Sequence, residues 1–226
     1  MLSLETTHTI EPRSFSGMEL VSRRIVRQPA HLHLLHGHSN VFLASLMIGG
    51  ATNQKIAIID GAMKFNSYTL ADIARLIGIL PAALLRRTYI TRSFTAFQTE
   101  AAIVTKLTRF LSHTPCPLVV ILGLLETYYD EQVKAHECRQ SLLRILQTLR
   151  ALASRHIHVL IADVEVPNAP PGKEQLFRSL YDAVDIVLSL QPHEQKFRFN
   201  EERRNRLWGA TTIPSRLPSN GIKRSG

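Results

Sequence analysis

Four short apolar runs punctuate the chain: Ile56-Ala57-Ile58-Ile59-Asp60, Leu118-Val119-Val120-Ile121-Leu122, His156-Ile157-His158-Val159-Leu160-Ile161 and Val184-Asp185-Ile186-Val187-Leu188. A strand with one wet face alternates apolar and polar residues, whereas a strand covered on both faces is apolar throughout. These runs therefore predict buried strands of a parallel sheet, with a further strand around His31 to His36. Between the runs the period lengthens from two to 3.6 residues. Leu70, Ile73, Ala74 and Ile77 fall on one helical stripe after Asn66-Ser67, with Gly78 as the stop. Phe97, Ala101, Val104, Thr108 and Leu111 predict a second stripe, opened by Ser93 or Thr95 as cap. Cys138, Leu142, Ile145, Leu149 and Leu152 predict a third, on the longest helix, roughly 131 to 154. Such alternation implies right-handed βαβ crossovers, hence a three-layer α/β fold with a mostly parallel central sheet and helices on both faces.

The ends of the chain differ from this middle. Residues 1–28 lack a firm period and carry Arg23-Arg24 and Arg27; they read as a leader that packs on the core or joins a neighbour. Residues 29–200 form the expected core domain, and 201–226 a basic, flexible tail. With 226 residues and 45% hydrophobic content, the chain is large enough for one substantial core. The net charge of +9 makes a polyanionic partner plausible. Eight basic residues against three acidic ones place +5 of it after residue 190. Two cysteines, Cys116 and Cys138, give neither a disulfide framework nor zinc-ligand spacing, which fits a reducing cytoplasm. The polar Glu5 to Thr9 stretch is no signal sequence, and the run from Leu118 to Leu125 is too short to span a bilayer.

An alternating α/β chain raises the question of a phosphate loop, in which glycines let backbone N–H groups converge on phosphate, a Lys reaches the terminal phosphates and a hydroxyl holds magnesium. No such motif occurs. The first strand opens into Gly37-His38-Ser39-Asn40-Val41-Phe42, and Gly172-Lys173 follows Pro170-Pro171 without strand or hydroxyl. Even so, Ile56 to Phe65, the turn Ile77-Gly78-Ile79, and Thr88-Tyr89-Ile90-Thr91-Arg92-Ser93-Phe94-Thr95-Ala96-Phe97-Gln98 resemble in order and texture the ATPase core of the RecA/RadA recombinase superfamily. So do Leu118 to Leu122 with the long helix after it, and Val159-Leu160-Ile161-Ala162-Asp163; the resemblance covers roughly residues 31 to 190. It implies a RecA-like fold, with self-association or docking onto an active recombinase.

Aligned on this resemblance, the catalytic groups are missing. Ala62 stands where the family has the Glu that activates water, Leu122-Gly123 where the Walker B Asp holds magnesium, and Asp163-Val164 where Asn-Gln senses the γ-phosphate. Phosphoryl transfer is positioning plus charge stabilisation, so the expectation is a non-catalytic protein of DNA recombination or repair without cofactor or metal. Gly37, Ser39 and Asn40 mark the vestigial phosphate-loop position, either as a small anion nest or as a plain helix cap at Ser39 or Asn40. Lys196, Arg198, Arg203, Arg204, Arg206 and Trp208, interleaved with Phe197 and Phe199, are the candidate contacts to DNA, single-stranded DNA included; the alternative is a terminal β-ribbon with its aromatic side inward. His31, His33, His36 and His38 could in principle gather a metal, and Glu126, Asp130 and Glu131 could move protons, but each set has a plain reading as polar rim or solvated loop. A rival function is a pure protein-interaction regulator, comparable to RecA-like accessory proteins that lack phosphate loops.

Overall fold

The computed structural model describes residues 16–27, 29 and 31–214. In chain order the elements are α1 (Ser16–Arg27), β1 (Leu32–Gly37), α2 (Val41–Ala51), β2 (Ile56–Asp60), α3 (Ser67–Leu76), α4 (Pro81–Arg86), β3 (Thr88–Arg92) and α5 (Ala96–Glu100). A π-helical segment (Ala101–Leu107) runs on into α6 (Thr108–His113), and then come β4 (Leu118–Leu122), a 3-10 turn (Glu126–Tyr128), α7 (Ala135–Ala153) and β5 (His158–Ala162). α8 (Leu176–Ala183), β6 (Ile186–His193), β7 (Lys196–Glu201) and β8 (Arg206–Thr211) complete the described chain. Among the described residues no helix is long and apolar enough to cross a membrane.

The strands form one eight-stranded sheet in the order β3-β2-β4-β5-β1-β6-β7-β8. Six of them are parallel, and β7 runs against both β6 and β8. The α/β class and mostly parallel sheet expected from the apolar runs are therefore present. Successive residues of a strand point to opposite faces. In β4, Leu118, Val120 and Leu122 pack with α1 to α4 on the first face, while Val119 and Ile121 pack with α5 to α8 on the second. Each fully buried Leu, Ile or Val contributes about 1.5–3 kcal/mol, so a strand apolar on both sides is held from both sides.

The caps fall where chain chemistry puts them. Asn66 accepts from Tyr68 N at 2.8 Å to open α3, Thr95 accepts from Gln98 N at 3.2 Å to open α5, and Gly78 takes φ +74° past α3. The long-helix stripe from Cys138 to Leu152 is buried in full, although α7 begins at Ala135 rather than near 131. The second stripe is corrected. Leu111 is buried as expected, but Phe97 and Ala101 are exposed, Val104 and Thr108 are half-buried, and the run buries Ala96, Thr99, Ile103 and Leu107 instead.

Secondary structure occupies both stretches expected to flank the core. The leader contains α1, whose Met18, Val21, Ser22 and Ile25 are buried at helical spacing, with Ser22 Oγ donating to Ile48 O at 3.0 Å. The sheet continues through β8, so the stretch from 201 to 211 belongs to the core, with Glu201, Trp208 and Thr211 buried. Residues 215–226 of the expected tail lie outside the described residues.

Candidate functional site

In open α/β sheets, ligands bind beyond the carboxyl ends of the strands, where neighbouring crossovers leave toward opposite faces. Here β1 leads into α2 on the first face and its neighbour β5 leads toward α8 on the second. The ends of β2, β4, β5 and β1 are adjacent, so Ala62, Leu122, Asp163 and Gly37 are brought to one edge.

That edge is closed by its own backbone. Gly61 N and Ala62 N both donate to Leu122 O, at 2.9 and 3.1 Å; Gly123 N donates to Ala162 O at 2.8 Å, and Asp163 N to Leu35 O at 3.1 Å. The sheet ladder thus runs past the strand ends into the loops. Gly123 has φ +63°, and a Cβ there would lie 2.3 Å from Ala62 Cβ, so only glycine fits against this turn. Asp60, fully buried, accepts from Lys64 N at 2.9 Å and Phe65 N at 3.0 Å, with Arg92 Nε 3.5 Å away; the nearby Met63 is held at φ +56°. Asp163 accepts from Leu125 N and Val164 N, both at 2.9 Å, and so fastens the loop after β4 to the end of β5. Burial pushes the Asp163 carboxyl up to about 7, against the pull of those N–H groups. Burial, with the Asp163, Glu165 and Glu126 carboxylates nearby, also raises the Tyr129 phenol.

The first turn is closed in the same way. His38 N donates to Leu190 O at 3.1 Å, Val41 N to His38 O at 3.0 Å, and Asn40 N to His38 Nδ1 at 3.1 Å. Three amides that a phosphate loop would aim at its ligand are satisfied within the protein. Gly37 stands at φ +104°, where a Cβ would also meet Leu190 O at 2.9 Å, so the turn itself calls for glycine. Asn40 occupies the cap position of α2 without a side-chain cap bond, so His38 rather than Ser39 or Asn40 is the side chain that ties the turn. These residues do not fit a nucleoside triphosphate with magnesium. No G-x-x-x-x-G-K-[ST] spacing occurs at this turn, and the Asp163 carboxyl lies on the same sheet edge.

The candidate DNA-binding set is divided by the pleat. Phe199 and Trp208 are buried on the first face and Phe197 packs beside them, while Lys196 and Arg198 are exposed on the second. Trp208 is unavailable to a base: its Nε1 donates to Glu201 at 2.8 Å. Arg206 and Arg204 pair with the same carboxylate, at 2.8 and 3.4 Å, and Arg203 donates to the carbonyls of Val184 and Tyr181, both at 2.6 Å. The inward-aromatic ribbon is thus the arrangement adopted, and Lys196 and Arg198 alone of the set stand clear of those structural roles.

The remaining polar sets take their plain readings. His31 and His33 are neighbours, with ring centroids 6.2 Å apart, but His36 turns to Phe177 and Tyr181 on α8 while His38 packs on Phe197. Among the described residues no three His, Cys, Asp or Glu side chains are grouped to hold a metal. Glu126, Asp130 and Glu131 are exposed, and Glu137 rather than any of these lies in the first turn of α7. Lys173, of the Gly-Lys pair, is buried with its ammonium on Asp130 O.

At the far margin lies a feature that no sequence motif announces. β3 ends the sheet, and a cavity of about 480 Å³ lies under it, lined among others by Ala57, Ile59, Tyr89, Thr91, Leu107 and Phe110. Ile90, Phe94 and Phe97 are exposed along the same margin. The alternation of Thr88 to Arg92, half polar where β2, β4 and β5 are almost wholly apolar, is the signal that marks this edge. No family model matches the chain, and a search of curated proteins finds no matching relative.

Proposed function

We propose that this chain is a non-catalytic RecA-like protein of DNA recombination or repair, which uses the architecture of an ATPase as a scaffold for binding a recombinase partner. Two observations support the reading. The strand ends matched by the resemblance, far apart in sequence, lie side by side at one sheet edge. At that edge, the contact of Gly123 with Ala62 fills the space between the activating-base and metal positions; this contact carries the proposal. Catalysis there would require groups that develop contacts to the transferring phosphoryl oxygens, and backbone carbonyls and amides already paired to each other supply none. The partner-facing feature is the free margin of β3, where an extended segment can add main-chain hydrogen bonds while its side chains reach the cavity beneath.

Isothermal titration with ATP and magnesium tests it. The expected result is no saturable heat up to millimolar nucleotide and no release of phosphate. Micromolar binding with turnover would overturn the reading.

A further inference from the structure

The cavity beneath β3 lies between two layers: β2 and β3 on one side, the π-helical segment and α6 on the other. Ala57 of β2 and Ala102 of the π-helical segment are both buried in its lining, and side chains this small leave volume between sheet and helix. At about 480 Å³ the cavity falls within the roughly 300–1,000 Å³ range of small-molecule sites. Tyr89 and Phe110, also in the lining, have ring centroids 5.1 Å apart. A π-helix is rare and is found most often as a short bulge at a functional site; here it carries Ala102 and Lys106 to the cavity. The lining holds no Asp or Glu, and Lys106 is its single charged residue. Glu100, the one acid of the α5–α6 run, is held instead by Arg144 at 2.5 Å, so Lys106 has no ion-pair partner among the described residues. Thr88 donates its hydroxyl to Leu84 O at 2.8 Å, whereas the hydroxyls of Tyr89 and Thr91 meet no protein partner among the described residues.

We infer that this cavity binds a small monocarboxylate with an alkyl body, its chain between Ala57 and Ala102 and its carboxylate at Lys106. The apolar lining selects the body, because each methylene moved out of water favours the bound state. The lone ammonium selects the head. One cation with two free hydroxyls in the same lining suits a single negative charge, whereas phosphate groups call for several donors or the planar fork of an arginine. A ligand seated there occupies space that the side chains of a strand added at β3 would otherwise use. Its binding is nonetheless independent of the recombination reading.

The test is isothermal titration of the full chain with octanoate, hexanoate and octanol. Octanoate is expected to bind at one site, hexanoate about fifteenfold more weakly for its two missing methylenes, and octanol about tenfold more weakly for its missing charge. Lys106→Ala should weaken octanoate about tenfold and leave octanol within about twofold, while Lys106→Arg should keep most of the affinity for the acid. Thr91→Phe, which puts a ring into the cavity from a half-buried strand position, should abolish binding of both, with unchanged Trp208 emission reporting an intact fold. Intermolecular NOEs from the octanoate methylenes to the Tyr89 and Phe110 rings should place the chain whether or not that variant folds. The inference is overturned by no saturable binding at millimolar octanoate, by octanol binding as tightly as octanoate, by wild-type affinity in Lys106→Ala, or by NOEs only to residues outside this lining. Exclusion of octanoate by self-association would also overturn it, making a second copy the occupant. Failure on octanoate with nucleotide inertness intact would leave the scaffold reading standing; ATP turnover would remove that reading and leave this ligand in place.

Discussion

His33 sits in the middle of the sheet, fully buried, in a cross-strand row with Ile90, Ile58, Val120, Leu160 and Ile186. Its Nε2 has no hydrogen-bond partner, and burial, reinforced by the neighbouring His158 and His31, pulls its pKa down to about 4. Between pH 6.5 and 4 the unfolded chain binds this proton and the folded one does not, so His33 makes the protein less stable as pH falls. Asp163, held near 7, acts in the opposite sense: the folded state takes up its proton well above the unfolded carboxylate range, so stability rises as pH falls from about 7 to 4. The two slopes oppose each other over about pH 4 to 6.5. Asp163→Asn should therefore steepen the loss of stability on acidification, and His33→Leu should flatten or reverse it, read as urea midpoints across that range. A second residue-scale prediction concerns the closed edge. Gly123→Ala forces a side chain into the left-handed region and onto Ala62, and should cost about 2–4 kcal/mol in urea unfolding. In the double variant with Ala62→Gly the overlap is partly relieved, so the double should be less destabilised than the sum of the singles by about 1 kcal/mol.

At the level of elements, the β7–β8 ribbon is pinned to the core by one buried carboxylate. Glu201 accepts from Trp208 Nε1 and Arg206 and lies close to Arg204, while Arg24 of α1 stacks 5.9 Å from the indole and bonds Leu207 O at 3.3 Å. Glu201→Ala leaves a buried indole N–H and a guanidinium without their acceptor, and should destabilise by about 3 kcal/mol. Because Trp208 is the single tryptophan, a red shift of its emission should accompany the loss; Glu201→Gln, which keeps an acceptor, should show a smaller change in both. These elements are also the hardest to read in the sequence. β2, β4 and β5 are legible because both faces are buried and the residues are apolar almost without interruption. α1 is obscured because its stripe of Met18, Val21 and Ile25 is thin and is flanked by Arg23, Arg24 and Arg27, which dominate its composition. β8 is obscured for the same reason: an arginine-rich turn precedes Leu207-Trp208-Gly209, and only pairing with β7 reveals that Trp208 faces inward. In the α5–α6 run, Phe97 reads as core by its size, yet the buried stripe is made of smaller residues, with Thr99 satisfied by Ser93 and Thr95.

For the whole molecule, the convergence of Gly37, Ala62, Leu122 and Asp163 is a property of strand order, which no local period encodes, and closure of the edge depends on loop carbonyls that leave no trace in residue type. The two margins of the sheet are likewise alike in sequence terms but not in space. On the β8 side, α1 lies directly on the strand: a Cβ at Gly17 would fall 1.8 Å from Ala210 O, so glycine is what lets the helix cover the edge. On the β3 side no strand follows among the described residues, and Ile90, Phe94 and Phe97 are 41%, 64% and 62% exposed. An open, partly apolar edge is a template for strand addition, held in check here by Arg92 and the brevity of the strand. Association, with itself or with a partner, should therefore proceed through β3 and not β8. Sedimentation velocity over a concentration series is expected to show reversible self-association of the full chain, lost on Ile90→Lys with little change in unfolding midpoint, because Ile90 is already substantially exposed. Leu207→Lys, at the opposite margin, should leave association intact. A concentration-independent monomer would remove β3 as an edge for self-association, and equal sensitivity to both substitutions would remove the distinction between the two margins.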